Sequence, residues 1–210
     1  MASLTTLSVE EFTAALASDA PAPGGGSASA AVGAAGAALL AMVVKLTLGK
    51  EKYKESWKEL APLSETLETN RRRLLELVDE DTKAFDAIVA ARRLPKATDE
   101  EKAVRQKAID AATLLATTVP MQTAFYAELT LRSAGTILTK GNPNAASDAL
   151  VAGHLLAAAI AGALANVKIN LPGVNDPELA RGFHEDAEGL AKSSEEKLAA
   201  LREAARGLGL

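Results

Sequence analysis

The sequence contains no cysteine and only two histidines, His154 and His184. The missing cysteines exclude disulfides, thiolate nucleophiles and cysteine-ligated metal sites. Two histidines 30 positions apart do not form a histidine-rich metal cluster. We therefore expect no metal and no resident cofactor, and catalysis would depend on Asp and Glu side chains.

Strand-forming residues are also scarce. Aromatic residues make up 3% of the chain, with 11 Val and 5 Ile, whereas 45 Ala and 30 Leu are present. Ala and Leu are strong helix formers, while β-branched and aromatic residues favour strands. With 48% hydrophobic and 24% charged residues in 210, the chain can build a real core. The composition predicts an all-α protein with a single domain over residues 1–210.

The chain carries no excess of positive charge and no signal-peptide pattern. Its net charge of -4 argues against a nucleic-acid partner, because phosphates require cations. The N-terminus lacks the basic and apolar regions of a secretory signal. Residues 21–44 are uncharged but consist mostly of Ala, Gly and Ser, so we expect no membrane span. A soluble cytoplasmic protein is predicted.

Capping residues, glycines and prolines divide the chain into helices. Ser8 and Thr98 begin capping boxes, Ser27 is a candidate cap, and Asp176 precedes a proline. Pro62 should kink or restart a helix, and Pro120 could interrupt one. The fold prediction is a helical bundle of five or six helices, two of them Ala-rich and central. Large apolar stripes suggest a homodimer. The predicted helices cover about 8–18, 27–48, 53–93, 98–139, 145–168 and 176–207.

The turn at residues 21–27, Pro-Ala-Pro-Gly-Gly-Gly-Ser, is the first candidate for ligand binding. Consecutive glycines let a ligand approach the backbone, and the helix that follows offers unpaired N–H groups. A flexible hinge is the alternative interpretation. The candidate residues are Pro23, Gly24, Gly25, Gly26 and Ser27. Gly33 and Gly36, farther along the helix, are expected to serve packing.

Asp81 is the second candidate, because it lies on an apolar stripe. The stripe includes Leu77, Val78 and Phe85, which are three or four residues from Asp81 on a helix. A carboxylate there is costly unless it is paired, hydrogen-bonded or functional, although it could also reach water at the stripe edge. Burial would raise the pKa of Asp81 toward the range useful for acid–base catalysis.

Polar residues gather at both ends of the second Ala-rich helix. Asp148 is expected in its first turn, where the helix dipole stabilises a negative charge, and ordinary helix stabilisation is the simpler explanation. His154, among Ala, Gly and Leu, is expected in the core. Lys45 interrupts an apolar face and could bind an anion or extend to solvent. The remaining polar candidates are Asn142, Asn144, Ser147, Asn166 and Asn170.

Five motifs in order resemble the cyclodeaminase/cyclohydrolase family. This family is known as the C-terminal domain of formiminotransferase-cyclodeaminase and as standalone bacterial methenyltetrahydrofolate cyclohydrolases. Each motif alone is weak, but five in register over residues 21–170 are specific. The motifs are Pro21-x-Pro-Gly-Gly-Gly-Ser27, Leu46-Thr47-x-Gly-Lys50-x-Lys-Tyr53, Asp81-x-x-Ala-Phe85 running to Arg93-Leu-Pro-Lys96, Gly141-Asn-x-Asn-Ala-x-Ser-Asp148 and Asn166-Val-Lys-Ile-Asn170.

The resemblance implies an all-helical, dimeric, metal-free enzyme that acts on a one-carbon tetrahydrofolate derivative. It implies catalytic roles for Asp81 and Asp148 and substrate binding by the other motif residues, including Lys50 and Tyr53. The folate glutamate tail, which can be polyglutamylated, would use Lys45, Lys50 and Lys52 or Arg92, Arg93 and Lys96. With no room for a formiminotransferase, we expect a methenyltetrahydrofolate cyclohydrolase. The alternatives are a formimidoyltetrahydrofolate cyclodeaminase and a non-catalytic folate-binding or scaffold protein.

Overall fold

The computed structural model describes residues 3–210, which form eight α-helices and four short 3-10 turns without a strand. Because no strand occurs in these residues, the all-α prediction is confirmed. Five of the helices are long and three are short. The helices are α1 (Val9–Leu16), α2 (Gly25–Leu48), α3 (Lys54–Leu60), α4 (Leu63–Arg92), α5 (Asp99–Leu131), α6 (Ala134–Lys140), α7 (Ala146–Asn170) and α8 (Pro177–Gly207).

Three predicted helix starts are confirmed, and one is wrong. Ser8 and Thr98 each form a complete capping box, and the Asp176 carboxylate accepts hydrogen bonds from two backbone N–H groups of α8. Ser27 does not cap α2, because that helix already begins at Gly25. Gly24 occupies the N-cap position without a side-chain hydrogen bond, so the first N–H groups of α2 have no side-chain cap.

The two internal prolines have different effects. Pro62 separates α3 from α4, as the predicted restart requires. Pro120, in contrast, lies inside α5, which continues unbroken to Leu131. The possible interruption at Pro120 was therefore wrong. The helix ends instead near Ser133, where α6 begins.

Helices α2 and α7 organise the bundle. They pack against each other, and each other long helix packs against at least one of them: α4 against α2, and α5 and α8 against α7. Both are long and apolar enough to cross a membrane by length and composition, but 50% of the apolar stretch of α2 and 39% of that of α7 is buried inside the bundle. The prediction of two central Ala-rich helices is confirmed, and each keeps one face exposed.

Small residues let α2 and α7 approach closely. A Cβ atom on Gly33 would lie 3.3 Å from the Cβ of Ala159. A Cβ on Gly36 would lie 2.8 Å from the Cγ of Leu156 and 3.1 Å from the backbone oxygen of Ala152. Both glycines therefore serve packing, as predicted.

A buried carboxylate attaches α8 to α5. The Glu128 side chain has no solvent exposure and forms ion pairs with Arg132 at 2.8 Å and Lys197 at 3.1 Å. The Ser193 hydroxyl donates to it at 2.6 Å. Burial acts to raise the pKa of Glu128, but these hydrogen bonds outweigh it and lower the pKa below its ordinary value. The charge is thereby compensated inside the bundle.

Replacement of Gly36 by Ala should destabilise the bundle, because the added methyl group meets both a side chain and a backbone oxygen of α7. Overpacking of this kind typically costs about 1–3 kcal/mol. Gly189→Ala is the matched control: its Cβ meets nothing within 4 Å in α8. The control should gain up to about 1 kcal/mol from helix propensity. Urea unfolding of both variants measures the difference, and equal stabilities would contradict the close α2–α7 packing.

Candidate active site at the start of α2

Asp81 of α4 lies directly beneath the first turn of α2. The Ser27 hydroxyl is 3.0 Å from the Oδ2 atom of Asp81 and 2.9 Å from the backbone oxygen of Val78. A hydroxyl has one hydrogen, so these two acceptors compete for it. Ser27 is fully buried, and its role is to hold the carboxylate from below rather than to line the cavity.

Gly26 leaves the space that the Asp81 carboxylate occupies. A Cβ atom at Gly26 would overlap with both carboxylate oxygens of Asp81. At Gly25, a Cβ would only touch the side-chain nitrogen of Asn166, at 3.4 Å. The three-glycine turn is therefore more than a hinge, because Gly26 is required for the position of Asp81.

The environment of Asp81 raises its pKa. Burial is the largest effect, because it disfavours the charged carboxylate. Hydrogen bonds from the hydroxyl and backbone N–H of Ser27 act in the opposite direction and are weaker. The predicted direction of the shift is confirmed. A raised pKa makes the Asp81 carboxylate a better proton acceptor, which suits a group that takes and returns a proton during catalysis.

Asp81 faces a cavity of about 270 Å³ between α2, α4, α5 and α7. Its walls combine the backbone of the glycine turn with apolar side chains, including the 80%-exposed Ile169. Sequence reasoning did not single out Ile88 or Ile169 as site residues, although Phe85 and Ile88 follow Asp81 at helical spacing. The lining residues are Pro21, Ala22, Gly24, Gly25, Gly26, Asp81, Ala84, Phe85, Ile88, Ala116, Asn166, Ile169 and Asn170.

Two asparagines of α7 complete the polar part of the cavity. Asn166 donates its side-chain N–H to the backbone oxygen of Gly162 at 2.9 Å. Asn170 donates to the backbone oxygen of Ala116 at 2.7 Å. Ala116 lies four residues before Pro120, which has no N–H to donate, so the proline leaves this carbonyl available to Asn170. Both asparagines are thereby fixed at the cavity wall.

Pro23 lies outside this cavity, contrary to its prediction beside the glycines. It lines an adjacent groove with Leu4, Asp79 and Lys83. The loop before α2 crosses α4 at this point. Residues on one side of the loop face the cavity, and residues on the other side face the groove.

A second set of predicted residues lies where α2 ends and α7 begins. The Tyr53 hydroxyl donates to the side-chain oxygen of Asn142 at 2.8 Å. The backbone N–H of Asn142 donates to the Thr47 hydroxyl at 2.9 Å, and that of Asn144 to the side-chain oxygen of Asn142 at 3.2 Å. Asn142 thus ties the turn before α7 to α2, and Thr47, quoted only within a motif, is its buried partner.

Lys45 and Lys50 are exposed at this same end, as is Ser147, and Asp148 is half-buried in the first turn of α7. From Gly26 to Thr47, α2 rises by about 30 Å at about 1.5 Å per residue. Asp81 and Asp148 therefore lie near opposite ends of α2 within one chain, so a single chain does not bring both carboxylates to the same reacting carbon. His154 is exposed rather than in the core.

Comparisons with known proteins identify the family of the chain. The formiminotransferase-cyclodeaminase family model matches residues 8–189. The chain belongs to this family. The methenyltetrahydrofolate cyclohydrolase of Methylorubrum extorquens is 42% identical over 182 residues, which cover 87% of this chain and 88% of the relative.

Other members of the formiminotransferase-cyclodeaminase family are longer proteins. The formimidoyltransferase-cyclodeaminase of Rattus norvegicus is 34% identical over 83% of this chain, but the match spans only 32% of the rat protein. Among solved structures, the formiminotetrahydrofolate cyclodeaminase of Thermotoga maritima superposes with a TM-score of 0.86 at 27% identity, covering 98% of each chain. This chain thus shares the helical fold of that structure.

Gly26→Ala should move the Asp81 carboxylate out of its buried position, because the new methyl group overlaps with it. Since burial is the main cause of the raised pKa, the pKa of Asp81 should fall toward its ordinary value. Side-chain carbon NMR across a pH titration measures this shift. Gly25→Ala, whose methyl group makes only ordinary contact, should leave the pKa in place. Identical titrations of the two variants would contradict the assigned role of Gly26.

Proposed function

We propose that this protein is a methenyltetrahydrofolate cyclohydrolase, which hydrolyses 5,10-methenyltetrahydrofolate to 10-formyltetrahydrofolate. The observation that carries this proposal is the 42% identity to a methenyltetrahydrofolate cyclohydrolase along nearly the full length of both chains. A cavity that holds a carboxylate with a raised pKa supports it independently.

The chemistry requires a base and then an acid. The substrate carries a positive amidinium carbon between N5 and N10, and the nearby Asp81 carboxylate would stabilise that charge. Water forms a C–O bond to this carbon while Asp81 takes one of its protons. Asp81 then returns the proton to N5 as the C–N5 bond breaks. The hydroxyl formed on the carbon loses its proton to solvent and becomes the formyl group on N10.

The side-chain oxygens of Asn166 and Asn170 can accept hydrogen bonds that orient the substrate. Because the side-chain N–H groups of Asn166 and Asn170 bond to backbone carbonyls, their side-chain oxygens remain available toward the cavity. Such acceptors match the amino edge of a pterin ring. We therefore assign to Asn166 and Asn170 the orientation of the pterin ring.

Asp81→Asn should lower kcat by about 10²–10⁴-fold, because loss of a general acid–base group has this effect. In the wild type, protonation removes the base, so kcat should fall as pH falls through the raised pKa of Asp81, above the ordinary value of 3.8. Loss of the methenyl absorbance, corrected for uncatalysed hydrolysis, measures both effects.

Stability provides the control for this variant. The folded pKa of Asp81 is raised, so stability from its protonated form is lost as pH rises through that pKa. Asp81→Asn should therefore be at least as stable as the wild type at neutral pH. A stable variant with less than threefold loss of kcat would contradict the catalytic role.

An assay with a second substrate distinguishes the alternative activities. A formimidoyltetrahydrofolate cyclodeaminase is the second candidate, because the superposed Thermotoga maritima structure carries a cyclodeaminase name. In that reaction N10 adds to the formimino carbon and ammonia leaves, so release of ammonia from formimino-tetrahydrofolate would identify it. No turnover of either substrate would leave only a folate-binding or scaffold role.

We propose further that the protein is a homodimer whose partner covers the exposed faces of α2 and α7. These neighbouring faces are apolar over most of their length, interrupted on α2 only by Lys45. Contiguous apolar surface of this kind marks an interaction site. The residues concerned are Val32, Ala35, Leu39, Met42 and Leu46 on α2, and Val151, Leu155, Ala158, Ala161, Ala165 and Ile169 on α7.

A second copy would also bring together the two sets of predicted residues, those around Asp81 and those around Asn142, which lie at opposite ends of α2 within one chain. A two-fold axis across the α2–α7 face reverses the helix direction, so the glycine-turn end of one chain meets the Asn142 end of the other. Each dimer then holds two sites that combine Asp81 of one protomer with Asp148 and Lys45 of its partner. The small volume beside Asp81 agrees with a site completed by a second chain, since ligand pockets usually measure about 300–1,000 Å³.

Mixing two inactive variants tests the shared site. When Asp81→Asn and Asp148→Asn chains are unfolded together and refolded, half of the dimers become mixed, and each mixed dimer regains one intact site. Activity should recover to about a quarter of the wild-type value. Asp81→Asn refolded with itself is the matched control. No recovery, with dimers present by light scattering, would show that each site lies within one chain or that Asp148 does not serve it.

The remaining expectations stay proposals. Residues 1–210 would form one domain in the cytoplasm, supported by the single cluster of buried apolar residues to which all long helices contribute. A metal-free mechanism, and the lack of a nucleic-acid or membrane partner, also remain predictions.

A further inference from the structure

Thr82 places a buried hydroxyl next to Asp81 that the mechanism above does not use. Its side chain is 8% exposed and does not line the cavity that Asp81 faces. The Oγ1 atom of Thr82 lies 3.3 Å from the Oγ atom of Ser27, which in turn contacts the Asp81 carboxylate. The hydroxyl of Thr82 therefore reaches Asp81 through Ser27.

Three oxygen atoms surround the Ser27 hydroxyl: Oδ2 of Asp81 at 3.0 Å, the backbone oxygen of Val78 at 2.9 Å and Oγ1 of Thr82 at 3.3 Å. An ionised carboxylate and a backbone oxygen only accept hydrogen bonds, so Thr82 is the partner that can donate to Ser27. The single hydrogen of Ser27 then remains for Asp81 or Val78. The Val78 oxygen also accepts a backbone N–H within α4, so it does not depend on Ser27.

The two carboxylate oxygens of Asp81 have different surroundings. Oδ2 faces Ser27, whereas no side chain in residues 3–210 donates a hydrogen bond to Oδ1. No enclosed side-chain oxygen of the described chain lacks a hydrogen-bond partner, so Oδ1 is open to the cavity. Oδ1 is therefore the oxygen that can exchange a proton with a molecule bound in the cavity.

No other charge in the described residues faces Asp81, which is the only ionisable side chain among those that line its cavity. The first two turns of α2 and residues 111–121 of α5 contain no charged residue, and Lys168 of α7 is exposed to solvent. The hydroxyl groups are thus the polar side chains that respond to the charge of Asp81. Three charged residues of α4 on either side of it line the adjacent groove instead: Asp79, Lys83 and Asp86.

We propose that Thr82 and Ser27 are positioning residues whose hydrogen bonds follow the charge of Asp81. The inference rests on the proposed function, because it assigns the proton transfer to Oδ1. While Asp81 is ionised, Thr82 donates to Ser27, and Ser27 donates to Oδ2 and holds Oδ1 toward the cavity. Once Oδ1 has taken a proton from water, Oδ2 is a weaker acceptor, and the Ser27 hydrogen turns to the backbone oxygen of Val78. Return of the proton to the substrate reverses this turn, and neither hydroxyl loses its own hydrogen.

Titration of Asp81 by side-chain carbon NMR tests both hydroxyls without a substrate. Ser27→Ala removes a donor to the ionised carboxylate, so the pKa of Asp81 should rise further. Thr82→Val keeps the size of the side chain but removes its hydroxyl, and should raise the pKa of Asp81 by less. Thr82→Ser, which restores the hydroxyl, should titrate like the wild type. If Ser27 donated to Thr82 instead, Thr82→Val would lower this pKa, so a lower or unchanged pKa would overturn the proposal.

A double variant separates an effect through Ser27 from a general loss of polarity. In a Ser27→Ala background, Thr82→Val should change the pKa of Asp81 no further, because no hydroxyl then connects the two residues. An equal rise in both backgrounds would contradict the relay. Thr123→Val is the matched control, since it removes a buried hydroxyl that bonds to the backbone oxygen of Val119 in α5, and it should titrate like the wild type.

Kinetics with methenyltetrahydrofolate should follow the same order. Ser27→Ala should lower kcat about tenfold and Thr82→Val about threefold, because a hydrogen bond to a charged group is stronger than one between neutral groups. The KM should stay near the wild-type value, since neither hydroxyl lines the cavity. The acid limb of the kcat profile should move to higher pH together with the pKa of Asp81. A change in KM alone, or an unchanged kcat and acid limb in both variants, would overturn the proposal.

The titrations and the kinetics fail independently. The titrations require no turnover, so they support or overturn the hydrogen-bond relay even if methenyltetrahydrofolate is not hydrolysed. Absence of turnover in the wild type, in contrast, would overturn the proposed function and leave the titration of Asp81 to decide the roles of Ser27 and Thr82.

Discussion

The close contact between α2 and α7 is the constraint on which the other features depend. Glycine and alanine at their crossing bring the two backbones together, so there is no room for larger side chains at positions such as Gly36. This contact fixes the start of α2 beside the end of α7. It thereby places the glycine turn, which comes from one helix, within reach of the asparagines of the other, and α4 and α5 close the cavity around them.

The candidate site shows how an unfavourable residue is tolerated. A carboxylate among apolar side chains costs free energy, and the hydrogen bonds from Ser27 reduce this cost. The fully buried Glu128 shows the opposite arrangement, because two cations and a hydroxyl compensate its charge. The two carboxyl groups differ in the direction of their pKa shifts, which separates a group suited to proton transfer from one that holds helices together.

Sequence reasoning identified the helices better than the contacts between residues that are far apart in the chain. Local signals sufficed for the capping boxes at Ser8 and Thr98 and for the apolar stripe carrying Asp81, because these depend on residues within one or two turns. The role of Ser27 was misassigned, since its partner Asp81 is 54 residues away. The separation of the two motif sets also escaped prediction, because order along the chain says nothing about which end of a bundle each motif reaches.

The proline inside α5 has a consequence for how the bundle finds its register. The backbone oxygen of Ala116 has no helical donor, because Pro120 lacks an N–H group. The side chain of Asn170 supplies the missing hydrogen bond. If α7 slid along α5 by one turn, that carbonyl would lose its donor, and the amide of Asn170 would have to find another acceptor. The missing donor in α5 therefore favours one position of α7 along α5. The same hydrogen bond sets the depth at which Asn170 enters the cavity, so one contact aligns both the two helices and the site.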